Sequence, residues 1–213
     1  ISAGKLAAIH SLPIWKGGLS IVPLKGGISN ESWVVTDEAC SRVVRFGEDY
    51  PFHHVDRAHE AMVARAAHAA GLAPQVVASM PGLMVTEFLN AETGSADSVR
   101  NNIAGHAAIL RSFHQTMPLH VSGAARLFWV FHVLRDYCRT LSAKSSRHAE
   151  GIPAWMEAAT GFESVQVPLP LIYGHNDLLP ANFLYSKSQT WLIDFEYSAY
   201  STALFDLAGL SSN

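Results

Sequence analysis

Charge, sulfur and long apolar runs are all scarce in this 213-residue sequence, and each shortage removes a class of protein. Charged residues make up 15%, and 15 Lys and Arg against 18 Asp and Glu leave a formal net charge of −3. With no basic excess to neutralise phosphates, a general nucleic-acid partner is not expected. No apolar run approaches the roughly 20 residues that span a bilayer, so no transmembrane segment is expected. The two cysteines, Cys40 and Cys138, build no disulfide framework and have no metal-ligand spacing, which fits a reducing, cytoplasmic location. No basic region followed by an apolar stretch opens the chain, so no signal peptide is visible. An initiator Met is also missing, and the chain stops at Leu210-Ser211-Ser212-Asn213 directly after a hydrophobic stretch. The expectation is that these residues are less than a whole gene product. Neither a fixed-period repeat nor a low-complexity tract is present. Oligomeric state leaves no signal.

Apolar residues, by contrast, reach 49%, which excludes intrinsic disorder and suffices for a substantial core. The first third reads as short strands: Ile21–Leu24, Ser32–Thr36 and Arg42–Phe46, with Asp37–Ser41 as the hairpin turn between the last two. A helix is expected from Asp56, as N-cap, to Ala70, with Gly71 after it and Pro74 confirming the stop. Gln75–Ala78 and Leu83–Phe88 are two more strands. Beyond Asn90 the pattern becomes helical: a long helix over Ala96–Gln115, a buried aromatic one over Arg126–Leu141, and a third over Pro153–Phe162. Short strands at Leu169–Tyr173, Ala181–Tyr185 and Thr190–Ile193 follow, the last two as a hairpin.

Eleven histidines raise the question of zinc. His53-His54, His106 with His114 and His114 with His120 are the closest groupings, and none has the spacing that surrounds one ion. The expected reading is scattered surface and half-buried imidazoles for all but His175. A His-based metalloprotein would instead carry tightly bound zinc.

The densest polar cluster is Gly174-His175-Asn176-Asp177-Leu178-Leu179-Pro180-Ala181-Asn182, and Leu192-Ile193-Asp194-Phe195-Glu196 follows at the end of the next strand. A hairpin brings Asp177, Asn182 and Asp194 to one end of its strands. Asn182 and Asp194 then suit a hard cation such as Mg²⁺, which leaves Asp177 to accept a proton or orient a hydroxyl. One such residue alone would be read as a turn former; three in this order, flanked by apolar strands, point to chemistry.

An Asp, four residues, an Asn and then a strand-end Asp is the spacing of the protein-kinase catalytic loop and its metal-binding Asp. His175–Leu184 and Ile193-Asp194-Phe195-Glu196-Tyr197-Ser198, together with the later Leu204–Leu210, resemble the choline/ethanolamine kinase family, a branch of the aminoglycoside-phosphotransferase-like kinases. The resemblance runs from Gly26-Gly27 to the end of the chain. It implies a two-lobed, protein-kinase-like α+β fold, with a β-rich nucleotide lobe over residues 1–89 and an incomplete helical lobe over 90–213. It also implies ATP and Mg²⁺ as cofactors and a small cationic alcohol, choline or ethanolamine, as substrate. Asp177 would be the catalytic base, Asn182 and Asp194 would hold Mg²⁺, and His175 would orient the loop. Glu196 would stand near the metal and, with Asp177 and Tyr197, near the substrate. In the first lobe Gly26, Gly27, Ser29 and Asn30 resemble the family's phosphate loop. Arg45 matches its phosphate-touching basic residue, with Glu60 as acidic partner. Thr86–Asn90, with Glu87 and Leu89, resembles the adenine-binding hinge. Tyr173, Phe195 and Tyr200 are further aromatic candidates near the substrate. Two readings compete: a kinase for another small molecule such as an aminoglycoside or thiamine, and a non-catalytic nucleotide- or ligand-binding module.

Overall fold

A computed structural model describes residues 1–24 and 31–212. The expected phosphate loop at Gly26, Gly27, Ser29 and Asn30 therefore lies outside the described residues. The chain opens with a helix that its sequence did not announce, α1 (Ala3–His10), capped by the Ser2 hydroxyl, which accepts from the Lys5 N–H. Strands β1 (Ser20–Leu24), β2 (Glu31–Thr36) and β3 (Ser41–Phe46) follow, then helix α2 (Arg57–Ala69), then β4 (Val76–Met80) and β5 (Leu83–Glu87). The strands form one antiparallel sheet in the order β1-β2-β3-β5-β4. The β2–β3 turn falls where Asp37–Ser41 predicts it. Backbone N–H groups of Cys40, Lys16 and Ala39 point at the Asp37 carboxylate and bring its pKa down to about 2.

Side chains alternate across a strand, so the sheet has two distinct faces. Val35, Val44, Leu83 and Val85 pack with Ile9 and Leu12 in one core cluster. Arg45, between Val44 and Phe46, faces the other way, paired in register with Met84. Helix α2 lies on that side. It begins as expected, with the Asp56 carboxylate accepting the His59 N–H at 3.0 Å, and ends at Gly71, whose φ of +74° favours glycine. Val63, Ala64, Ala66 and Ala67 of α2 share the larger core with Phe113, Phe183, Leu192 and Phe195. The helix thus binds the sheet to the second half of the chain.

That half contains β6 (Glu92–Thr93), α3 (Ala96–Asn101), α4 (Ile103–Thr116), α5 (Val130–Ala143), α6 (Ile152–Ser164), β7 (Leu171–Gly174), β8 (Phe183–Tyr185), β9 (Thr190–Leu192), β10 (Ala199–Thr202) and α7 (Ala203–Ser212). The sheets pair β10 with β7, and β8 with β6 on one side and β9 on the other. Two expectations need correction. The long helix over 96–115 is two helices, because Asn102 leaves helical geometry (φ −138°, ψ 50°) and its Oδ1 accepts the Gly105 N–H at 3.1 Å; the side chain outcompetes the backbone ladder. The helix expected from Arg126 starts at Val130, since the Phe128 N–H donates to Tyr200 O and the Tyr200 N–H to Arg126 O. It is also not buried as expected: along α5 only Phe131 and Cys138 are enclosed. No helix among the described residues is long and apolar enough to cross a membrane.

Candidate active site

The loop from His175 to Asn182 links β7 to β8, and its first residues are held from outside. At Gly174 a Cβ would collide with Ser201 Oγ, so the close approach of β10 requires glycine there. Asn176 follows at φ +62°. Its Nδ2 donates to Tyr197 O at 3.0 Å, and its Oδ1 accepts from Ser201 Oγ at 2.8 Å. Below the loop lies Asp206 of α7, 1% exposed. Its carboxylate accepts the His175 N–H (2.9 Å), the Asn176 N–H (2.7 Å) and His114 Nε2 (2.7 Å). Burial opposes its charge, but the His114 bond and those two N–H groups outweigh it and hold the pKa low. His175, fully buried, donates from Nε2 to Ile193 O at 3.0 Å and packs against Phe113 and Phe195.

The three chemistry-bearing residues then meet. The Asn182 Nδ2 donates to Asp177 O at 2.8 Å and lies 3.5 Å from Asp177 Oδ2. This leaves the Asn182 Oδ1 as its free acceptor for a cation. The Ile193 N–H donates to Asn182 O at 3.0 Å, which sets Asp194 beside Asn182. Asp194 sits at φ +68°, a conformation rarely taken by residues with a Cβ and held here by its surroundings. Burial pushes the Asp177 carboxyl above its ordinary pKa, and the neighbouring Asp194 charge adds to the rise.

From the sheet side Arg45 reaches into the same place. Its Nη1 donates to Asp194 Oδ1 at 2.9 Å, and its Nη2 pairs with Glu60 Oε1. Arg57, at the start of α2, donates from Nη1 to Glu60 Oε2 and to Glu196 Oε2, each at 2.7 Å. Arg45, Glu60 and Asp194 therefore come together as expected, with Glu196 beside them. Four carboxylates (Asp177, Asp194, Glu60, Glu196) face two guanidinium groups, and the excess of negative charge favours a cation. Among the described residues, the one group of His, Cys, Asp or Glu close enough to share an ion is Glu60, Asp194 and Glu196, with ligand atoms within 4.8 Å of one another. It contains no histidine. Both Glu60 oxygens are occupied by arginines and Glu196 is held by Arg57, so Asp194 Oδ2 and Asn182 Oδ1 are the oxygens left for a hard cation, donors that fit Mg²⁺.

Other expected residues fall elsewhere. Glu87 and Leu89 lie where the chain leaves β5, outside this ion-pair network. Tyr173 and Phe195 are 2% and 3% exposed and belong to the core, with the partly buried Tyr200 packed against it. Tyr197 stays half-buried, its hydroxyl pKa raised by burial and then by the Glu196 charge. Contrary to expectation, His106 is also buried: it bonds Asn102 O and the Tyr185 hydroxyl, each at 2.7 Å. Two residues of the site were missed by the sequence reading, Arg57 and Asp206. The first was signalled only by its three-residue spacing from Glu60, the second by its place in the Leu204–Leu210 motif.

Comparison with known proteins identifies the family. The choline/ethanolamine kinase family profile matches residues 21–210. Protein LicA of Haemophilus influenzae is 26% identical over 189 residues, covering 86% of this chain and 55% of the relative. A probable ethanolamine kinase of Arabidopsis thaliana is 25% identical over 216 residues, covering 94% of this chain and 55% of the relative. The chain thus spans about half the length of these curated relatives. The crystal structure of a choline/ethanolamine kinase family protein from Mesorhizobium loti superposes with a TM-score of 0.75 at 31% identity, over 98% of this chain and 68% of that one.

Proposed function

The chain belongs to the choline/ethanolamine kinase family, and from that premise we propose that it serves ATP-dependent transfer of a phosphoryl group to the hydroxyl of a small amino alcohol, choline or ethanolamine. The observation that carries this reading is that Asp177 lies against Asn182 while Asp194 is joined to the Arg45–Glu60 pair. Asp177 accepts the proton of the substrate hydroxyl or orients it for in-line attack. Asn182 and Asp194 hold the magnesium ion, which when bound offsets the charge of the ATP phosphates. Arg45 presents its guanidinium to the same phosphates. Gly26, Gly27, Ser29 and Asn30 supply the phosphate loop, and Glu87 and Leu89 the adenine-binding backbone. Glu196 and Tyr197 provide the negative charge and ring that a cationic head group meets. Residues 1–89 then serve as the nucleotide lobe and 90–213 as part of the catalytic lobe, working in the cytoplasm where ATP is supplied.

The test is turnover by the full-length protein with Mg-ATP on a panel of choline, ethanolamine, thiamine and an aminoglycoside. Choline or ethanolamine is expected to give the highest kcat/KM; turnover confined to thiamine or the aminoglycoside contradicts the reading.

The raised pKa of Asp177 has a consequence for pH dependence. A general base works as the carboxylate, so activity is present above its pKa and lost as pH falls through it. The acid limb of kcat/KM is therefore expected above about 4, the ordinary Asp value, and a limb at or below that value contradicts the role.

A further inference from the structure

The ion pairs form a closed chain: Asp194 to Arg45, Arg45 to Glu60, Glu60 to Arg57, and Arg57 to Glu196, with Phe195 joining the two ends through the backbone. One atom, Arg57 Nη1, touches a carboxylate from each lobe. Its root is fixed as well. The Arg57 N–H donates to Asp49 Oδ1 at 2.8 Å, its Nε donates to Glu48 O at 2.9 Å, and the guanidinium lies 5.9 Å from the Tyr50 ring centre. The side chains of Arg57 (11% exposed), Glu60 (2%) and Glu196 (8%) are enclosed, where an uncompensated charge is costly.

Within the proposed function, we propose that Arg57 is a positioning residue for phosphoryl transfer: from the first turn of α2 it holds Glu196 beside Asp194, so that Glu196 does not replace Asp194 as the cation's ligand. Glu196 stands two residues from Asp194 and within 4.8 Å of it. Without Arg57 its carboxylate is buried and uncompensated, and the nearest way to neutralise it is to draw in the ion that Asp194 and Asn182 need. The ion then sits off the productive position, and errors of about 1 Å there cost on the order of 10²-fold in rate. Because Arg57 is anchored in the first lobe and Glu196 in the second, the placement of α2 is also transmitted to the site.

The test is a double-mutant cycle in the full-length protein with Arg57→Gln, Glu196→Gln and both. Three readouts are used: amino-alcohol phosphorylation, the Mg²⁺ dependence of ADP binding by calorimetry, and the melting temperature without metal. Arg57→Gln is expected to lower kcat at least tenfold, to shift the Mg²⁺ dependence of ADP binding and to lower the melting temperature. Adding Glu196→Gln is expected to abolish the effects on kcat and on Mg²⁺ dependence, leaving the double variant no slower than Glu196→Gln alone, while the part of the melting-temperature loss that comes from Glu60 and Glu48 remains. Losses that multiply, or a Mg²⁺ dependence that Arg57→Gln leaves unchanged, overturn the proposal. Should Arg57→Gln not fold, Arg57→Lys carries the same cycle with smaller losses, since an ammonium keeps the charge but not the fixed fork. Wild-type protein that binds Mg-ADP but phosphorylates no amino alcohol defeats the substrate reading, while the binding cycle still decides the role of Arg57.

Discussion

Asp177→Asn is expected to reduce phosphoryl transfer by 10²- to 10⁴-fold, the usual contribution of a positioned acid–base group, while leaving Mg-nucleotide binding nearly unchanged. The amide keeps the shape of the carboxylate, and the contact with Asn182 Nδ2 runs mainly through the Asp177 main-chain carbonyl, so the loop is not disturbed. What disappears is the anion that takes or orients the hydroxyl proton. In the proposed function nucleotide affinity rests on Asn182, Asp194 and Arg45, whose side chains the change leaves in place. Steady-state kinetics with ADP calorimetry on the same sample check both halves; a variant with full activity removes Asp177 from its role.

Asp206→Ala is expected to produce the largest loss of stability. One carboxylate, 1% exposed, accepts two backbone N–H groups and His114 Nε2. Alanine leaves all three donors buried without partners. Breaking a buried charged network by removing one member costs about 3–5 kcal/mol, a large share of the 5–15 kcal/mol that holds a typical domain. Activity falls as well, because His175 and Asn176 lose the anchor that aims Asp177. The pH dependence has a definite sign. The Asp206 pKa is lowered in the folded protein, so its contribution is present above the unfolded value near 3.8 and is lost as pH falls through the folded value. Urea unfolding of the variant at neutral pH checks the first point, and wild-type unfolding at falling pH checks the second. An unchanged midpoint in Asp206→Ala contradicts the account.

Elements with strong local signals were legible in the sequence. Asp56 and Gly71 bracket α2 because capping and positive-φ chemistry are written in single residues. The β2–β3 hairpin follows from two β-rich runs around an Asp-led turn. The Asp177, Asn182 and Asp194 set was legible because the spacing of a catalytic loop is itself local. Elements that exist only through tertiary pairing were not. β6 is two residues long and is a strand only because β8 lies beside it, and β10 exists against β7. Asn102 breaks a periodic apolar pattern with one side-chain bond, which no period count detects. Tyr173 and Phe195 are aromatic candidates of a kind that is more often core than ligand-facing, and the core claims both. Arg57 escaped because its meaning depends on Glu196, far away in the sequence.

Phosphorus NMR of the full-length protein with ATP, Mg²⁺ and choline or ethanolamine tests the central claim most directly. A new phosphomonoester resonance is expected to grow in step with ADP, and to be absent with Asp177→Asn. Spectra in which ATP persists unchanged, or in which ADP appears with free phosphate alone, contradict it.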